Sequence, residues 1–261
     1  MKRVAVMQDL SCYGKCALTV ALPLLSAAGC AVSVLPTAVL STHTGGLGTP
    51  HVRDLSGDLP AVLDHWERLG LRFDGVYTGY LASPAQAELA VRAIRSLRAA
   101  GGLALCDPAM GDHGRLYAGL SADMPAAMAR VCAAADVLVP NATELALLGA
   151  DTPEALARRW GCRVVLTGAE RAGEIGAAVT AGGAPELVLG ERLPGASHGT
   201  GDLFASVLLA GLMAELPLTG AARAAVAFTH DALALTLAAG GDERAGLCFE
   251  PLLPRIGDYL K

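Results

Sequence analysis

The feature that most constrains this chain is alternation. Short apolar runs at 3–7, 32–39, 75–80, 102–106, 137–140 and 163–167 take turns with stretches whose apolar residues recur at helical spacing. The first helical stretch sets Leu18, Leu22, Leu25 and Ala28 on one face and stops at Gly29. Further helices are expected over 59–69, from Ser83-Pro84 to about 99, over 124–135, from Asn141 onward, over 202–214 and over 218–239, with a short one within 250–261. Segments 174–180 and 186–190 read as two strands with a hairpin between them, and Pro36 breaks the second apolar run. Strands that alternate with helices predict an α/β fold, doubly wound, with a mostly parallel central sheet and helices on both faces. No repeat or linker interrupts the pattern, so a single domain over 1–261 is expected, and a hydrophobic content of 53% supplies a sizeable core.

In such sheets ligands gather at the carboxyl ends of the strands. Asp9, Thr44, Tyr80, Asp107, Thr143 and the segment 199–202 fall there. Ser41-Thr42-His43-Thr44-Gly45 opens a stretch rich in hydroxyls and turn formers, which suits either a ligand loop or a plain surface loop. Asp107 ends a strand and Pro108 fixes the turn after it. Asn141-Ala142-Thr143-Glu144 is a capping box, which accounts for Glu144 on local grounds alone.

The stretch Ser197-His198-Gly199-Thr200-Gly201-Asp202 precedes an apolar helical run. The first amides of a helix have no internal partner and sit at the positive end of its dipole. Glycines on either side of Thr200 let those amides approach an anion, which makes a phosphate cradle. A carboxylate at the mouth of such a cradle repels phosphate, so Asp202 is best explained as a base for an alcohol that attacks a phosphoryl group. The alternative is a helix start with an ordinary acidic first turn. A P-loop at Gly14-Lys15 fails, because Cys16 stands where a hydroxyl is needed.

A net charge of −5 without a Lys/Arg cluster argues against nucleic acid. No apolar run has the length of a membrane span, and the N-terminus turns polar at Gln8-Asp9, so a cytoplasmic, soluble protein is expected. The seven cysteines include no Cys-x-x-Cys pair; Cys30, Cys106, Cys132 and Cys162 read as buried small hydrophobes, and no zinc site is expected. His43, His51, His113 and His198 read as solvated loop side chains, although His198 lies beside the cradle.

Gly199-Thr200-Gly201-Asp202 resembles the signature of the ribokinase superfamily. Ser41-Thr42-His43-Thr44-Gly45, Thr78-Gly79-Tyr80, Asp107-Pro108-Ala109-Met110-Gly111-Asp112 and Pro140-Asn141-Ala142-Thr143-Glu144 look like stretches of pyridoxal kinases. Gln8-Asp9-Leu10-Ser11-Cys12-Tyr13-Gly14-Lys15 is similar to the bacterial branch labelled pyridoxamine kinase. The resemblance spans residues 1 to about 240. It implies ATP-dependent phosphorylation of the 5′-hydroxymethyl group of a B6 vitamer. Asp202 would be the base and Gly199, Thr200 and Gly201 the anion hole. Asp9, Ser11, Thr44, Gly45, Tyr80 and Asp202 would bind the vitamer. Asp107, Thr143, Glu144 and Thr167 would face ATP, with Asp107 and Glu144 near Mg²⁺. A monovalent cation such as K⁺ can accompany the magnesium, the segment 111–119 would flap over the substrate, and homodimers are usual.

Two features depart from the family pattern. Many members carry serine where Asp9 stands, and an aspartate there should favour a cationic amine. No lysine stands in 168–196, where Arg171 and Arg192 are the only cations. A hydroxymethylpyrimidine kinase of thiamine biosynthesis is the close alternative, and a non-catalytic vitamer-binding protein the more distant one.

Overall fold

The computed structural model describes residues 1–194, 198–240 and 242–261, so Ser197 of the cradle stretch lies outside the described residues. Its strands are β1 (Arg3–Ser11), β2 (Ala31–Leu40), β3 (Val52–Asp54), β4 (Phe73–Thr78), β5 (Arg98–Cys106), β6 (Gly111–Asp112), β7 (Arg115–Leu116), β8 (Val137–Leu138), β9 (Arg163–Arg171), β10 (Glu174–Thr180) and β11 (Glu186–Glu191). The helices are α1 (Leu18–Ala27), α2 (Leu59–Arg68), α3 (Pro84–Leu97), α4 (Met124–Cys132), α5 (Ala142–Leu147), α6 (Pro153–Trp160), α7 (Thr200–Met213), α8 (Leu218–Ala239) and α9 (Ile256–Tyr259). Nine strands form one sheet in the order β11-β10-β9-β8-β5-β4-β1-β2-β3. The six from β2 across to β9 are mutually parallel, while β3 at one edge and the β10–β11 pair at the other join antiparallel. This is the expected α/β architecture.

Alternation along the strands gives the sheet two cores. Val4 and Val6 of β1 pack into a cluster with Leu24 of α1, Leu208 of α7 and Phe228 of α8. Ala5 and Met7 point the other way, to Leu63 of α2, Ile94 of α3, Val131 of α4 and Leu156 of α6. Successive strand residues face opposite sides, and parallel sheets are covered on both. Each buried Leu or Val removed from water contributes about 1.5–3 kcal/mol, which is why these strands read as continuous apolar runs.

The structure departs from the sequence expectation at several points. Pro36 does not break β2. It stands opposite Gln8, and the register of β1 shifts between Gln8 and Leu10, so a bulge accommodates the missing backbone donor. β1 runs on past the apolar stretch 3–7 to Ser11, so Asp9 belongs to the last residues of the strand rather than following it. Helix α6, the edge strand β3 and the β6–β7 ribbon are additional elements. Thr152 caps α6 through Ala155 N, and proline opens it, signals that are local and easily overlooked. Segment 250–261 is a 3-10 turn (Glu250–Arg255) followed by the single turn α9.

Candidate active site

The first turn of α7 closes one side of the cleft. Gly199 caps the helix at φ 81°, and a Cβ there would stand 2.2 Å from the Lys15 carbonyl oxygen, so only glycine lets the 13–17 loop close against this turn. The first intrahelical bond runs from Leu203 N to the Gly199 carbonyl (2.9 Å), which leaves Gly201 and Asp202 in the turn whose amides lack helical partners. A Cβ on Gly201 would meet nothing within 4 Å, so its backbone borders open space.

Asp202 follows, its carboxyl pushed up to about 6 by burial, with the nearby Asp9 charge adding to the shift and the Ala17 amide opposing it. That amide is held by an unusual backbone: Ala17 has φ 46° and ψ −126°, a region L-residues avoid. The strain sits where the chain enters α1 and aims an N–H at the carboxylate.

Asp9 lies across from this turn at the carboxyl end of β1, 5% exposed, and accepts a hydrogen bond from Ser11 Oγ (3.1 Å). Burial raises its pKa. Tyr80 is near enough for the Asp9 charge to raise its phenol, after burial. His43 is buried, contrary to the solvated reading. Its Nδ1 accepts from Gly45 N (3.0 Å), so the proton is on Nε2, which donates to the Arg244 carbonyl (2.6 Å). The ring centroid lies 4.7 Å from that of His198, the planes tilted by 37°, and burial lowers the His198 pKa. A Cβ on Gly45 would come within 2.2 Å of His198, so Gly45 makes room for that ring. Thr44 is exposed beside them.

Asp107 and Glu144 form the third wall. Asp107 is buried at the end of β5; burial raises its pKa strongly, and the Glu144 and Asp202 charges add to the effect. Glu144 does close the capping box: Asn141 N donates to Oε2 (2.9 Å) and Glu144 N donates to Asn141 Oδ1 (2.9 Å). It also accepts from Met110 N (3.2 Å), so the carboxylate ties the turn after β5 to the start of α5. Burial pushes its pKa up against the pull of these amides. Segment 111–119 begins as the β6–β7 ribbon, turned by His113 (φ 50°) and Gly114 (φ 76°). The ribbon is fastened to α5, because Gly114 N donates to Thr143 Oγ1 (2.9 Å) and Asn141 Nδ2 to the Gly111 carbonyl (2.9 Å). Thr167 donates through Oγ1 to the Pro140 carbonyl (3.3 Å).

Asp9, Asp107, Glu144 and Asp202 thus come from β1, β5, α5 and α7 into one electrostatic neighbourhood. Among the described residues no three His, Cys, Asp or Glu side chains are grouped closely enough to cage a metal ion. That donor set fits Mg²⁺, which keeps several waters and binds through one or two carboxylates plus phosphate oxygens. Asp107 is the available carboxylate; Glu144 is already committed to backbone amides. Arg192 pairs with Glu170 (2.6 Å), while Arg171 makes no ion pair among the described residues. The sequence reading missed Cys16 and Ala17, which adjoin Asp202, and Gly246, where a Cβ would stand 2.8 Å from Lys15. No local signal marks these residues, because the contacts join segments remote in sequence. All seven cysteines are free, with Cys30, Cys106, Cys132 and Cys162 buried as expected.

A family model described as phosphomethylpyrimidine kinase matches residues 26–245. The pyridoxine/pyridoxal/pyridoxamine kinase of Bordetella bronchiseptica is 31% identical over an alignment covering 92% of this chain and 91% of that protein. The crystal structure of pyridoxal kinase from Lactobacillus plantarum superposes with a TM-score of 0.92 at 37% identity, covering 98% of this chain and 96% of the other. A Bacteroides thetaiotaomicron protein provisionally named phosphomethylpyrimidine kinase, in a crystal form with pyridoxal, gives a TM-score of 0.89 at 32% identity, with coverage of 98% and 96%.

Proposed function

The chain belongs to the pyridoxal kinase family of the ribokinase superfamily, and on that footing we propose that it transfers the γ-phosphoryl group of ATP to the 5′-hydroxymethyl group of a B6 vitamer. One observation carries the reading at the level of residues. Asp202, with its carboxyl pushed up to about 6, stands in the first turn of α7 between the glycine backbone of 199–201 and the Asp9–Tyr80 side of the cleft. A base needs a pKa near working pH and a place beside both alcohol and phosphate.

In this mechanism Asp202 takes the proton of the attacking hydroxymethyl group. The amides of Gly199, Thr200 and Gly201 neutralise charge that develops on the transferred group. Asp9, Ser11, Thr44, Gly45 and Tyr80 orient the ring, and Thr143 and Thr167 flank the phosphates. Asp107, with Glu144 behind it, would hold Mg²⁺, which would supply neutralisation of the phosphate charge. A potassium ion, a flap motion of 111–119 and a homodimer are carried over from the family resemblance, and a cytoplasmic location from the N-terminus turning polar; among the described residues no helix is long and apolar enough to cross a membrane.

The family model's description favours a second reading, a hydroxymethylpyrimidine kinase, whose substrate is also a flat ring with a hydroxymethyl group. ADP release with ATP and Mg²⁺ separates the two when pyridoxal, pyridoxamine, pyridoxine and hydroxymethylpyrimidine are run in parallel. The B6 vitamers are expected to turn over. Turnover of the pyrimidine alone would move the substrate assignment, and turnover of none would overturn the kinase reading.

A further inference from the structure

A cavity of about 530 Å³ lies at the opposite end of the sheet from the cleft. Its walls come from α6 (Glu154, Arg158), from the start of β9 (Cys162, Arg163), from the end of β10 (Thr180) and from the turn that follows. Neither the Arg158 nor the Arg163 guanidinium makes a hydrogen bond or ion pair among the described residues, whereas the adjacent Arg159 is spent on the carbonyls of Leu148 (2.6 Å) and Gly149 (2.7 Å). Thr180 is 1% exposed, so its hydroxyl, which has no partner among the described residues, is closed off behind the wall rather than open to the cavity. The acidic groups nearby are few. Glu154 lines the cavity, and Asp136, which faces Cys162, is held by Arg98 (2.6 Å) and by Ala104 N (2.7 Å). Burial pushes the Cys162 thiol up to about 11, so it serves as apolar wall rather than as an anion.

We propose that this cavity binds a small phosphomonoester. Two guanidinium forks present paired donors to phosphate oxygens, the geometry for which arginine is favoured. The volume exceeds what a phosphate group fills and falls in the range of small-molecule pockets. Ala157, Cys162 and Ala184 offer the remaining space an apolar surface, so the ligand carries a ring or alkyl body. Insofar as the kinase reading above holds, its own phosphorylated product is a member of this class. Strand β9 then joins the two sites, running from Arg163 at the cavity to Thr167 at the cleft.

Calorimetric titration of the full chain tests the site by binding alone, so it stands or falls apart from turnover. Inorganic phosphate and pyridoxamine 5′-phosphate are the probes, at fixed ionic strength in chloride, on the wild type, on Arg158→Ala/Arg163→Ala, on Thr180→Val and on Asp202→Asn. The expected result is that the organic ester binds the wild type more tightly than phosphate does. The double variant should weaken this binding by about tenfold or more, while Thr180→Val and Asp202→Asn retain the event. Equal affinity in the wild type and the double variant would overturn the proposal, as would loss of the event in Asp202→Asn alone. Circular dichroism confirms that each variant is folded; both arginines lie at the surface, and the valine is isosteric with Thr180.

Discussion

Asp202 is placed at some cost to the fold. Its carboxyl has a pKa of about 6 in the folded chain against 3.8 as a free side chain. Between those values the native state keeps a proton that the unfolded state has released. Stability therefore falls as pH rises through that window, and the full penalty is present above about 6, on the order of 1 to 3 kcal/mol. Asp202→Asn removes the charge, so the variant should resist urea better than the wild type at pH 8, with a smaller advantage at pH 5. A variant less stable than the wild type at pH 8 would contradict this account of burial. Asp9 is a second buried carboxylate, which accepts from Ser11 Oγ and in the proposed mechanism lies on the vitamer side of the cleft. It should favour a cationic amine, so Asp9→Ser is expected to lower kcat/KM for pyridoxamine relative to pyridoxal. An unchanged ratio removes Asp9 from that role.

The elements show what a sequence makes legible. The capping box of α5 was evident in Asn141 and Glu144, four letters apart at most, and so was the glycine start of α7. The second task of Glu144, its bond to Met110 N, was not evident, because it joins residues 34 apart in sequence. The same holds for Ala17, whose strained backbone answers to Asp202 in a different helix. His43 was misread for this reason too: its partners are Gly45 and Arg244, and the second lies far along the chain. Glu144→Gln tests the clamp. The amide keeps one acceptor and turns an NH₂ toward a backbone donor, so unfolding free energy should fall by about 1–3 kcal/mol. A variant that melts with the wild type would limit Glu144 to an incidental contact.

Across the whole molecule, a single rule carries most of what could be read in advance. Strand alternation predicts the parallel sheet, and the sheet places Asp9, Tyr80, Asp107, Thr143 and Asp202 at one end. Short strands and edges were less legible. β3 is three residues long and exposed throughout, so it has no apolar pattern to read. The cavity at the far end of the sheet was also invisible, since α6 and the β10–β11 turn meet only in the folded chain. The central claim is that Asp202 is the base of a phosphoryl transfer. The most direct measurement is kcat for pyridoxamine phosphorylation as a function of pH in the wild type and in Asp202→Asn. The wild-type rate should rise with pH through a limb near 6, as the carboxyl ionises, and the variant should fall by about 10² to 10⁴ and lose that limb. A variant with near wild-type kcat, or one that keeps the limb, would contradict the account.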